Sequence, residues 1–135
     1  VRMMRTEEAE DVLKWIKNRI KCRPVKFRFF EWSTLRLEDL MKYSEEGFAA
    51  VQGRMDGITL YQPYSTQRMY IMMDFFIGSE KASKELDLFL RKEASIFNCR
   101  GVWGYVTSDE ELISGLKKAG FRIRKKGMRI YEMKL

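Results

Sequence analysis

The sequence predicts an α/β fold, a mixed central sheet flanked by helices, in a single domain over residues 1–135. Three observations predict it. Residues 68–77 form a strand-like run rich in aromatic and apolar side chains, with Asp74 the only charge between Met69 and Ile77. Near-continuous apolarity of this kind suits a central strand covered on both faces. After Gly78 and Ser79 the apolar period becomes helical, at Ala82, Leu86, Phe89, Leu90 and Phe97. Helical patterns then return between later strands, which predicts a layer that is part parallel and part antiparallel.

In chain order, residues 1–5 are an expected edge strand, and Thr6 is the expected N-cap of a first helix. Glu7, Glu8 and Glu10 stand where the helix dipole favours negative charge. Val12, Leu13, Ile16 and Ile20 supply its apolar stripe, and Pro24 closes it. Residues 26–30 interleave Lys26 and Arg28 with Phe27, Phe29 and Phe30, a connection whose aromatics cap the core or, alternatively, a stacking surface for nucleic acid. Ser33 or Thr34 is the expected cap of a second helix carrying Leu35, Leu37, Leu40, Met41 and Tyr43, and Gly47 ends it. Residues 48–52 and 58–61 are expected strands, with Asp56-Gly57 as the hairpin signal between them. Residues 62–67 are expected as a polar loop leading into the central strand. Beyond the long helix come a short strand at 102–106 and a helix capped by Ser108 or Asp109 and ended by Ala119-Gly120-Phe121. Strands at 122–125 and 128–133 close the chain.

Composition narrows the chemistry. Hydrophobic residues make up 45% and charged residues 33% of the 135, the balance of a soluble globular protein. No apolar run approaches the length of a membrane span, and the first residues carry no signal-peptide core, so a cytoplasmic location without membrane contact is expected. Cys22 and Cys99 sit far apart with no metal-ligand spacing around them, which predicts reduced, packed thiols. Histidine is absent, which excludes Ser–His and Cys–His triads and removes the commonest metal ligand, so no metal site is expected. Acid–base work falls to carboxylates, tyrosine, lysine or water. The formal charge of +7 favours anionic partners, with one basic cluster at Arg19, Lys21, Arg23, Lys26 and Arg28 and another at Arg122, Arg124, Lys125, Lys126 and Arg129. Both read either as solvated faces or as a nucleic-acid footprint.

A buried strand that turns through Gly78-Ser79 into a helix presents backbone N–H groups at the helix start, a geometry suited to anions. With Ala119-Gly120-Phe121 ending the last helix before two closing strands, the element order resembles the GNAT N-acetyltransferase superfamily across nearly the whole chain. The family pattern is a Val, one residue, a Pro, two residues, then Arg or Gln-x-x-Gly-x-Gly/Ala. Laid on this sequence without gaps, it puts the Val at Met72, the Pro at Asp74 and the loop on Ile77-Gly78-Ser79-Glu80-Lys81-Ala82. Gly78 and Ala82 fit; Ile77 replaces the Arg or Gln, and Glu80 replaces the central glycine. A second family pattern, Asn-x-x-Ala-x-x-x-Tyr before Gly-Phe, falls on Asp109, Leu112 and Leu116, so Leu116 occupies the place of the usual acid.

The resemblance implies acetyl-CoA as co-substrate, lying between the central strand and the next. Backbone groups near Met72, Met73 and Asp74 would meet the pantetheine arm. Gly78, Ser79, Lys81, Ala82 and Ser83 would surround the diphosphate, and a small-molecule or protein amine would attack the thioester directly. Asp74 is the candidate base, because burial raises a carboxyl pKa toward usefulness, with Tyr70 on the same strand face as its expected partner, or else Asp74 accepts backbone N–H bonds at a strand end; Tyr105 is the candidate acid in place of Leu116. The alternatives are a non-catalytic copy of the fold that binds a protein partner, similar to compact bacteriophage-encoded members and then virion-associated, and, third, a nucleic-acid-binding protein acting through the basic clusters.

Overall fold

The computed structural model describes residues 1–22, 35–63, 70–105, 117, 122–125 and 130–134. A two-residue edge strand, β1 (Arg2–Met3), and a 3-10 turn (Thr6–Glu8) lead into α1 (Ala9–Cys22). Then come α2 (Leu37–Glu46), β2 (Ala49–Gln52), β3 (Gly57–Pro63), β4 (Tyr70–Gly78), α3 (Glu80–Ile96), β5 (Gly101–Tyr105), β6 (Arg122–Lys125) and β7 (Ile130–Lys134). The sheet has seven strands in the order β1-β2-β3-β4-β5-β7-β6. Every neighbouring pair is antiparallel except β4 and β5. A parallel pair cannot be joined by a tight turn, and α3 is the crossover that joins this one.

The apolar run of the sequence therefore takes the middle place in the sheet, and its residues from Ile71 to Ile77 are all buried. One face is covered by α3, where Tyr61 meets Phe89 with ring centroids 5.8 Å apart and reaches the Glu93 carboxylate at 3.3 Å. α2 reaches the other face, where Tyr43 meets Asp74. Val12 and Ile16 of α1, Leu40 of α2, Leu60 and Phe75 of the sheet, and Leu86 and Leu90 of α3 belong to one buried cluster. At roughly 1.5–3 kcal/mol for each fully buried large apolar side chain, this cluster is the main favourable contribution to folding.

Helix ends explain where the boundary expectations fail. Thr6 is not a cap: it lies inside the 3-10 turn, its hydroxyl is 3.2 Å from that of Ser44, and the Glu8 carboxylate accepts from the Arg5 N–H at 2.6 Å. The Asp39 carboxylate likewise accepts from the Arg36 N–H at 2.9 Å, making Arg36 the residue before α2, whereas Ser33 and Thr34 lie outside the described residues. In both places an acid in the first turn satisfies the orphan donor of the preceding residue, half of a capping box. Gly47 ends α2 as expected, with φ of 78° in the left-handed region and its N–H on the Ser44 carbonyl. The expected loop at 62–67 begins later, because Gln62 and Pro63 belong to β3 and pair with Met72 and Ile71. The helix expected from Ser108 or Asp109 falls largely outside the described residues; Lys117 is helical. No described helix is long and apolar enough to cross a membrane.

Candidate active site

The β3–β4 ladder shifts register between Leu60 and Tyr61: Leu60 opposes Phe75 while Tyr61 opposes Met73, so Asp74 is the extra residue of a β-bulge. A bulge bends its strand and re-aims a side chain. Here it turns Asp74 toward α2 while Gly78 remains against α3. The parallel ladder to β5 stops at the same level, running from Tyr70 opposite Gly101 to Met73 opposite Gly104. From Asp74 onward β4 continues beside β3, and the described pairing with β5 ends. Asp74 thus stands at the mouth of the gap between the two parallel strands.

Its surroundings are specific. The Tyr43 hydroxyl donates to Asp74 Oδ2, and Gln62 Nε2 donates to the same oxygen at 2.8 Å while lying 3.2 Å from the Tyr43 hydroxyl. Asp74 is 8% exposed and Tyr43 7%. Burial pushes the Asp74 carboxyl above its ordinary range, and the bonds from Tyr43 and Gln62 partly oppose that rise. Burial first, then the Asp74 carboxylate, pushes the Tyr43 hydroxyl well above the tyrosine range, so Tyr43 serves as a donor that keeps its proton. Both described bonds converge on Oδ2. A buried carboxylate fixed by two donors, with its pKa raised, is suited to take a proton from an ammonium or amine.

The loop at the other end of β4 is arranged differently. Gly57 and Gly78 are opposed in the β3–β4 ladder, and α3 starts directly above them. A Cβ on Gly57 would stand 2.9 Å from Ala82 Cβ and 3.0 Å from the Ile77 carbonyl oxygen, so both strands need glycine-like slimness for the helix to seat. Ser79 is the N-cap of α3, and its hydroxyl accepts from the Ala82 N–H at 3.2 Å. The Ser79 N–H itself donates to the Asp56 carbonyl at 3.0 Å. Two of the N–H groups at the helix start are therefore engaged within the chain.

The sequence-derived candidates separate accordingly. Met72, Met73 and Asp74 line the level at which β4 and β5 part, and Gly78, Ser79, Lys81 and Ala82 gather at the start of α3. Ala82 is fully buried under the helix, while Lys81 is exposed. Tyr105 ends β5 one residue past Gly104; its side chain and that of Ser83 lie outside the described residues, as does Leu116. Sequence reading missed Tyr43 and Gln62. Tyr43 looked like one more apolar position of α2, and Gln62 like loop; the bulge, which has no sequence signature of its own here, is what brings them to Asp74.

No protein-family model matches the sequence, and neither does any curated protein. Among solved structures, an acetyltransferase of the GNAT family from Streptococcus pneumoniae superposes with a TM-score of 0.64 at 12% identity, over 98% of this chain and 95% of that one. The likeness at this identity is one of fold, and on it the chain has the mixed α/β fold of the GNAT acetyltransferases.

Proposed function

We propose that the protein is an N-acyltransferase that moves an acetyl group from a pantetheine thioester to an amine. The observation that carries this reading is the coincidence, at one residue, of the β4 bulge, the end of the β4–β5 ladder and a buried carboxylate held by two donors. The thioester arm lies along β4 just beyond Met73, the last residue of β4 paired with β5, and the acceptor amine approaches Asp74. Acetyl-CoA is the substrate that supplies this arm in the superposed family. The Asp74 carboxylate takes the proton that the acceptor nitrogen must lose, and the nitrogen lone pair forms the new C–N bond at the thioester carbonyl carbon. The C–S bond then breaks, and the leaving thiolate collects a proton from Tyr105 or from water. Alignment of the two reactants supplies most of the rate, since no covalent intermediate on the protein is needed. Basic clusters at Arg19 to Arg28 and Arg122 to Arg129 make an acidic or nucleic-acid-associated acceptor the favoured kind, on charge alone.

The test is calorimetric titration with acetyl-CoA together with thiol release in the presence of an amine panel. Binding with amine-dependent thiol release supports the reading, and Asp74→Asn lowers turnover by about 10²–10⁴ while leaving thioester binding intact. Absence of both heat and thiol release up to millimolar donor refutes it. A second reading, a binding module that kept the fold without the chemistry, rests on Leu116 at the usual acid position. It gains if donor binds and no amine releases thiol.

A further inference from the structure

At the start of α3, where an anion would be expected, two of the backbone donors are already engaged within the chain. Ser79 spends its N–H on the Asp56 carbonyl at 3.0 Å and its hydroxyl on the Ala82 N–H at 3.2 Å. Helix-start N–H groups bind anions because they lack intrahelical partners; these two have partners in the chain. The bond to Asp56 also ties the β2–β3 turn across the loop. The contact beneath is equally tight: a Cβ on Gly78 would lie 3.2 Å from Gly57 Cα and 3.3 Å from Ala82 Cβ. Two acidic residues, Asp56 in the turn and Glu80 at the first helical position, sit at this end, against Lys81. A diphosphate placed here finds the Ser79 and Ala82 N–H groups occupied and two acidic positions in the sequence beside them. The other end of the cleft, where β4 leaves β5, carries no such closure in the described ladder.

We infer that the protein recognises its acyl donor through the thioester and pantetheine arm and draws no affinity from the nucleotide diphosphate of coenzyme A. Its donor class is then acyl-pantetheine thioesters at large, of which acetyl-CoA is one source and S-acetyl-pantetheine another. This rests on the acyltransferase reading and narrows it: the contacts that select the donor run along β4, and those at the helix start serve to hold α3 in place.

The experiment measures acetyl-CoA and S-acetyl-pantetheine side by side, by calorimetry and by amine-dependent thiol release, at low and high salt. Expected are dissociation constants within about threefold of each other, a flat salt response for acetyl-CoA, and no competition by 3′-phosphoadenosine diphosphate. In Ser79→Gly the Ala82 N–H is released while the cap position keeps a tolerated residue, so acetyl-CoA gains about tenfold over S-acetyl-pantetheine. A preference of about thirtyfold or more for acetyl-CoA in the unaltered protein, or an unchanged donor ratio in Ser79→Gly, overturns the inference and leaves the acyltransferase reading standing. Failure of both donors to bind overturns the two together.

Discussion

Replacing Tyr43 by phenylalanine removes one of the two donors on Asp74 Oδ2 and keeps the ring that fills the space under α2. A hydrogen bond to a charged group contributes about 1.5–3 kcal/mol, and one pKa unit corresponds to about 1.4 kcal/mol, so the Asp74 pKa should rise by about 1–2 units. The sign follows from which form the hydroxyl favours: its donation holds the carboxylate, and its loss leaves burial, already the larger effect, less opposed. The raised pKa of Asp74 means that the native state holds its proton to higher pH than the unfolded chain does. Its contribution to stability is therefore full below the unfolded pKa and lost as pH rises through the folded value, and Tyr43→Phe moves that loss to higher pH. Carbon-13 NMR of the aspartate carboxyls, with Asp74→Asn to assign the resonance, reads the shift directly and requires no substrate. Where acetyl transfer is measurable, the acid limb of its pH profile should move up by the same amount. A midpoint that stays within about 0.3 units of the unaltered protein, or moves down, would refute the argument that Tyr43 sets the ionisation of Asp74.

Other perturbations test separate parts of the structure. Gly57→Ala forces a Cβ to 2.9 Å from Ala82 Cβ and should cost about 1–3 kcal/mol in denaturant unfolding, whereas Gly53→Ala meets nothing within 4 Å and should cost less, through its φ of 42° alone. Glu8, bonded to Arg2 at 2.5 Å, is held down to about pKa 2 by that bond, despite opposing burial. Its stabilisation is present above the unfolded pKa and disappears as pH falls toward 2, and Glu8→Gln should cost about 1 kcal/mol at neutral pH, because Arg2 is 41% exposed and solvent screens the pair. Burial, opposed by Arg91, pushes Asp87 up to about 6, so Asp87 stabilises below its unfolded pKa and loses that contribution as pH rises through 6. Thermal melts of Asp87→Asn should gain on the unaltered protein by about 2 kcal/mol between pH 4 and pH 7, and no pH-dependent difference would contradict the assignment.

The sequence by itself determined the elements that depend on local patterning. The run around Asp74 had to be a covered central strand, because so few polar groups interrupt it. Gly47 had to end α2, because a left-handed residue there favours glycine. Asp74 stood out as the one charge in that strand and proved to be buried. What the tertiary structure alone decided is what surrounds it. Tyr43 is 31 residues away in the chain and Gln62 is 12, and they meet Asp74 only because a bulge turns it toward α2. The same is true at the helix start, where Gly78 and Ala82 fit an anion-binding pattern in the sequence while in the fold they pack against Gly57 and the Ser79 N–H is spent on Asp56. Periodicity reports how a segment meets its own neighbours. Which donors remain open, and which carboxylate is held by which hydroxyl, depends on contacts between segments, and these are fixed only when the sheet closes its register.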